Sequence, residues 1–263
     1  MSSISVQEPV DAGLGETPLT GRVALVTGSS RGIGEAVARA FAAAGASVIV
    51  NSRGSSAGAD AGESLAAELG DARFVQADVA EQAGAEQLVE TASREWGRLD
   101  YVINCAGVTR LVPLADLDAV TEADWQAALG VNVLGIWHVC RAAAPLLRSS
   151  GGGAIVNVTS AAGIRPSGSS IPYAVSKAAA NHLTRLLAKT LAPEIRVSAV
   201  APGFIDTPLT ASMPGEFREG YIKTAPLGHT GRPQDIAEAC LFLARSSYAT
   251  GDVVLIDGGL ALT

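Results

Sequence analysis

The sequence predicts an α/β protein, a doubly wound chain around a seven-stranded parallel sheet. Three observations point there. Short β-branched runs alternate with alanine-rich stretches of helical period along nearly the whole chain. Most of those runs are apolar on both faces, as strands covered by helices on each side are. A glycine-rich turn follows the first of them and opens the first helical stretch.

The expected strands are RVALVT (22–27), SVIVN (47–51), RFVQ (73–76), DYVIN (100–104), AIVNVT (154–159), RVSAV (196–200) and VVLID (253–257). Helices are expected between them, near 32–44, 59–69, 83–96, 122–148, 172–191 and 234–244. Gly45 stops the first helix, and Pro193 ends the fifth. SRGSSAG (52–58) and SSGGG (149–153) read as loops between a strand and a helix, so no linker divides the chain. Residues 1–18 are expected to form a loose, acidic tail without the basic start and apolar core of a secretion signal, leaving 19–263 as one domain.

Composition narrows the function classes. A net charge of −7 without a basic stripe argues against nucleic acid as a partner. Hydrophobic residues make up 48% and charged residues 17%, with polar interruptions throughout, so no membrane span is expected. Cys105, Cys140 and Cys240 are far apart and form no paired motif; they read as thiols of a reducing cytoplasm. Three scattered histidines provide no metal-ligand cluster.

TGSSRGIG (27–34) carries the first chemistry. Gly28, Gly32 and Gly34 permit a tight turn and close approach of backbone to a pyrophosphate that faces the helix N-terminus. The competing account is a glycine turn that merely packs against its neighbours. An acidic residue at the end of the second strand would bind the ribose hydroxyl of NAD and repel a 2′-phosphate. The chain instead has Asn51, Ser52 and Arg53 there. Arg53 and Arg31 offer guanidinium groups to a phosphate, which favours NADP(H) over NAD(H), unless both are only solvated loop charges.

IPYAVSK (171–177) carries the second. Pro172 suits a first helical turn, and Tyr173 and Lys177 then lie one turn apart on one face. A unit charge at ~4 Å in an effective dielectric of ~20 contributes about 4 kcal/mol, enough to bring a phenol from ~10 toward 7. On that reckoning the tyrosine becomes an effective acid–base group at neutral pH. An exposed tyrosine and lysine without a shared role is the bland alternative.

The variant G-x-x-x-G-x-G spacing, the later NCAG (104–107), Ser160 thirteen residues before Tyr173, and Asn132 in VNVLG together resemble the short-chain dehydrogenase/reductase family over about residues 19–263. The resemblance implies a Rossmann-type fold and an Asn132–Ser160–Tyr173–Lys177 tetrad. In it Tyr173 exchanges the proton of the carbonyl or alcohol, and Ser160 polarises that oxygen. Lys177 depresses the tyrosine and holds the nicotinamide ribose, and Asn132 supports a water linking the lysine to solvent. It also implies dinucleotide contacts from Gly28, Ser30, Arg31, Gly32, Ile33, Gly34, Ser52 and Arg53. Asp78 and Val79 match the adenine position, and Asn104, Ala106 and Gly107 match NNAG, with Cys105 in place of its second asparagine. From PGFIDT (202–207), Pro202, Gly203, Ile205 and Thr207 match the segment that holds the nicotinamide carboxamide.

The implied activity is hydride transfer between NADP(H) and a ketone or secondary alcohol, nearest to 3-oxoacyl thioester reduction, in a cytoplasmic homotetramer or homodimer paired through helices 122–148 and 172–191. LADLDAVTEADW is longer than the family's usual stretch, which leaves a cyclic alcohol, sugar or steroid open as substrate. A nucleotide-binding sensor without turnover and a methyltransferase are the contrasting classes; neither has a use for Tyr173 with Lys177. The long connection after Thr207 suits a substrate lid, with plain surface irregularity as the competing account.

Overall fold

A computed structural model describes residues 18–54, 56–211 and 213–263. The tail expected over 1–18 falls, but for Pro18, outside the described residues. From Leu19 onward the chain belongs to the core: Leu19 is 2% exposed, and its N–H donates to Ala44 O at 2.7 Å.

Seven parallel strands form one sheet in the order β3-β2-β1-β4-β5-β6-β7. They are β1 (Val23–Thr27), β2 (Ser47–Ser52), β3 (Ala72–Gln76), β4 (Tyr101–Asn104), β5 (Gly153–Val158), β6 (Ile195–Pro202) and β7 (Val253–Ile256). Between them run α1 (Gly32–Ala43), α2 (Ser56–Leu69), α3 (Gln82–Trp96), α4 (Glu122–Leu129), α5 (Ile136–Ser149), α6 (Ile171–Leu191), α7 (Pro208–Ala211), α8 (Gly215–Thr224) and α9 (Pro233–Arg245).

Alternation along each strand builds the two halves of the core. Val23, Leu25, Ile49, Val102, Ile155 and Val197 face α3, α5 and α6. Ala24, Val26, Val48, Val50, Ile103 and Val156 face α1 and α9. Both faces are therefore apolar, which is why the strands read as unbroken hydrophobic runs.

Local chemistry sets the helix ends. Thr121 and Asp124 form a reciprocal capping box at α4. Ser170 caps α6, its Oγ accepting from Tyr173 N, with Pro172 in the first turn. Gly97 closes α3 at φ +67°, a conformation that only glycine adopts without strain.

Three expectations are corrected. The loop expected over 52–58 is shorter, because β2 runs through Ser52 and α2 begins at Ser56. The helix expected over 122–148 is interrupted by a wider, π-helical turn at Gly130–Gly135. The connection after Thr207 holds α7 and α8, whose polar, weakly patterned residues gave little periodic signal. The stretch Glu122–Ser149 is long and apolar enough to cross a membrane by length and composition alone. Its Ile136, Val139, Cys140, Ala143 and Leu147 are instead buried in the core.

Candidate active site

The sheet order reverses between β1 and β4, and ligands of open α/β sheets bind outside the strand ends at such a point. A groove of about 260 Å³ lies there.

The glycine loop forms its floor. Gly28 and Gly32 both take φ of +62°. A Cβ on Gly28 would lie 2.8 Å from Ala106 Cα, so only glycine lets the loop meet the end of β4. Thr27 Oγ1 accepts from the Cys105 and Ala106 N–H groups, each at 3.1 Å, and locks that approach.

Asn51 is the fastener that the sequence did not announce. Its Oδ1 accepts from Gly28 N at 3.2 Å, and its Nδ2 donates to Val75 O at 3.1 Å and Ala77 O at 3.0 Å. The amide is wholly used in joining the glycine loop to β3, so the residues free to meet a ligand at this corner are Ser52 and Arg53. Recognising this required knowing that β1, β2 and β3 lie side by side.

Of the expected dinucleotide contacts, Gly28, Ser30, Arg31, Gly32, Ile33, Gly34, Ser52, Arg53, Asp78, Val79, Ala106, Gly107 and Thr207 line the groove. Asn51, Ala77, Cys105, Val108, Val131, Pro208 and Leu209 complete it. These additions contribute mainly shape and apolar surface, which carries no motif. Asn104, Tyr173, Lys177, Pro202, Gly203 and Ile205 do not belong to the lining. Asn104 is buried, its Nδ2 donating to Asn157 Oδ1 at 2.8 Å, and so ties β4 to β5. Pro202 ends β6, Gly203 N donates to Ile256 O at 2.8 Å, and Ile205 packs into the core. Their positions support the wall beside Thr207.

The tetrad lies just beyond Gly107. A Cβ there would sit 3.4 Å from Asn132 Oδ1 and 3.5 Å from Lys177 Nζ, so this one glycine separates groove from tetrad. Asn132 occupies the π-helical turn, fully buried. Its Oδ1 accepts from Val108 N at 2.9 Å, while Nδ2 donates to Val108 O at 3.0 Å and Ser176 Oγ at 2.9 Å. Single wide turns of this kind recur at functional sites because they re-aim one side chain within a helix. Lys177 Nζ donates to Val158 O at 3.0 Å. Ser160 Oγ accepts from Ala162 N at 3.1 Å, and its hydroxyl lies near enough to the Tyr173 phenol to pull it downward.

The electrostatics correct one expectation. Burial holds the Tyr173 phenol above its ordinary value, with the Ser160 hydroxyl acting in the opposite direction. Lys177 does not draw it toward 7: its ammonium is 5.8 Å from the ring centroid and turned to Val158 O. Burial also pushes Lys177 down, from 10.5 to about 8. The charge-only reckoning left out the water that burial removes. A phenol that keeps its proton, backed by a hydroxyl that polarises the acceptor, is suited to donating to an oxygen that gains negative charge.

The residues present fit a nicotinamide dinucleotide: a helix N-terminus and glycine loop for a pyrophosphate, and a proton donor one glycine away. Among the described residues, no cluster of histidine, cysteine or carboxylate side chains is arranged to hold a metal.

Fold and site together define a class, the dinucleotide-dependent oxidoreductases that act on carbonyl or CH–OH groups. The chain belongs within that class to the short-chain dehydrogenase/reductase family; the family model described as enoyl-(acyl carrier protein) reductase matches residues 28–261. It is similar to the protein assigned as ketoacyl reductase 2 of the granaticin polyketide synthase of Streptomyces violaceoruber, at 52% identity over 242 residues, 91% of this chain and 96% of that one. It is 38% identical over 254 residues to the 3-oxoacyl-(acyl-carrier-protein) reductase FabG of Thermotoga maritima, covering 93% and 99% of the two chains. Among solved structures, a gluconate 5-dehydrogenase from Burkholderia cenocepacia in complex with NADP and tartrate matches with a TM-score of 0.85 at 32% identity, over 94% of this chain and 97% of that one.

Proposed function

We propose that the protein uses NADPH to reduce a ketone to a secondary alcohol, with a 3-oxoacyl thioester as the nearest substrate class. The observation that carries this reading is the Ser160–Tyr173 pair, with Lys177 behind it, one glycine from the groove.

Bound nicotinamide supplies the hydride. The chain's own residues do the rest. Ser160 and Tyr173 donate to the carbonyl oxygen, and the Tyr173 proton passes to it as negative charge develops. Lys177, whose ammonium is already fixed on Val158 O, holds the nicotinamide ribose. Asn132, anchored on Val108 and Ser176, supports the water that reconnects Lys177 with solvent.

Preference for NADPH over NADH rests on Arg31 and Arg53, both exposed on the rim of the groove, and on the absence of a carboxylate over 51–53. The Arg53 guanidinium is only 4.0 Å from Asp78, a loose pairing that a phosphate would replace.

The reading extends to assembly and location. Leu129, Leu134 and Trp137 on the α4–α5 stretch, with Val175 and Leu186 on α6, are exposed apolar residues on the two expected pairing helices. Phe242, Tyr248 and Leu262 are exposed on α9 and near the C-terminus. Two such surfaces support a homotetramer. Three free thiols support a reducing cytoplasm.

The test is Tyr173→Phe. Ketone turnover should fall by about 10³-fold while NADPH affinity stays within about twofold, since the general acid is lost and the groove is intact. Turnover that survives the substitution contradicts the role given to Tyr173.

A further inference from the structure

Arg165 lies five residues after Ser160, on the segment that leads to Tyr173. The catalytic roles proposed above give it none. Its guanidinium reaches about a hundred residues along the chain to the C-terminus, where Nη1 donates to Leu260 O and Nη2 to Thr263 O.

The turn it grips, Leu260–Leu262, is fixed at two further points. Asp257 accepts from Gly259 N at 2.9 Å and Ala261 N at 2.8 Å. The same turn meets the end of α8: Leu227 N donates to Gly258 O at 3.1 Å, and a Cβ on Gly259 would lie 3.0 Å from the Pro226 ring. Helix α8 in turn carries Tyr221. That ring packs on Phe204 at 5.1 Å between centroids, and its hydroxyl lies close enough to Arg165 and Tyr173 for their charges to bear on it. The C-terminal turn therefore ties the Ser160 segment, which leads to Tyr173, to the segment that follows α8.

We propose that Arg165 is a positioning residue: by holding the main chain of Leu260 and Thr263 it sets the spacing between the Ser160 segment and α8, and with it the size of carbonyl compound the cleft selects. This rests on Ser160 and Tyr173 meeting the carbonyl. Fork geometry explains the residue type, since two carbonyl oxygens are held by two N–H groups of one planar cation.

Five proteins test it: wild type, Arg165→Leu, Arg165→Lys, and a chain ending at Gly259 with and without Arg165→Leu. Each is measured for NADPH affinity by fluorescence, for kcat and KM with a small linear and a bulky bicyclic ketone, and, except the shortened chains, for carboxypeptidase release of Thr263. In Arg165→Leu, loss of two charge-assisted bonds should speed release about tenfold, raise the small-ketone KM about fivefold, and leave kcat and NADPH affinity within about twofold. The ratio of kcat/KM for bulky over small ketone should rise about fivefold, on the same grounds. Arg165→Lys, keeping one bond, should fall between. The shortened chain should match Arg165→Leu, and combining the two should add nothing further, because both break one linkage. An unchanged size ratio in both variants, or effects that add, overturns the proposal. Failure of the wild type to reduce any ketone would count against the function instead. The clasp is then judged by release of Thr263, which equal rates in wild type and Arg165→Leu would refute.

Discussion

Lys177 is buried where a cation is poorly solvated, so the function proposed for it and the stability of the fold pull in opposite directions. Lys177→Met keeps the length of the side chain and removes the charge. Burial lowers the lysine from 10.5 to about 8, which corresponds to about 3 kcal/mol of destabilisation at neutral pH. Against that, Val158 O loses the donor that Nζ supplies at 3.0 Å, a loss of about 1 kcal/mol. The variant should therefore be more stable than wild type at pH 7 by about 2 kcal/mol, a rise in Tm of roughly 4–8 °C for a chain of this size. It should also be inactive. The sign reverses with pH. Between about 8 and 10.5 the unfolded wild type binds more protons than the folded one, so wild type gains stability across that window and the variant does not. By pH 10.5 the advantage should be gone and the hydrogen bond should leave wild type ahead. Urea melts of both proteins without nucleotide, at pH 7, 8, 9 and 10.5, measure the difference, in which all other titrating groups cancel. A variant less stable at pH 7, or a difference that does not move with pH, refutes the reasoning.

Other expectations follow from the same geometry. Arg53→Ala should weaken NADPH binding by about tenfold and leave NADH nearly unchanged, as loss of one charge-assisted contact implies; titration with each nucleotide checks it. Asn51→Asp should destabilise the fold by about 3 kcal/mol, because a carboxylate would face the Val75 and Ala77 carbonyls in a site 1% exposed; urea melts measure this. Asn132→Ala should cost about 2–3 kcal/mol of stability in the same melts, since it strands both main-chain groups of Val108 and removes a donor to the Ser176 hydroxyl oxygen.

The strands were legible because both sheet faces are apolar, and the α6 start was legible because Pro172 suits a first helical turn; the Ser170 cap beside it emerged only in the structure. The glycine loop announced itself because glycine is the one residue that takes φ +62° freely. What stayed hidden depends on neighbours distant in sequence. Asn51 looks like a missing acid until β3 lies beside it. The π-helical turn at Asn132 is set by Val108 and Ser176, 24 residues before and 44 residues after it. Tyr173 and Lys177 show their spacing in the sequence but not their burial, and burial reverses the expected direction of the phenol. Arg165 is an ordinary loop cation until the C-terminus folds back on it.

The most direct measurement follows oxidation of NADPH and of NADH separately, with an acetoacetyl thioester and a panel of cyclic and aryl ketones, in wild type and Tyr173→Phe. Turnover with NADPH should stand well above that with NADH, one ketone of the panel should be clearly preferred, and the variant should lose that turnover. Tight nucleotide binding with no ketone reduced, or a wild-type preference for NADH, would contradict the proposed function.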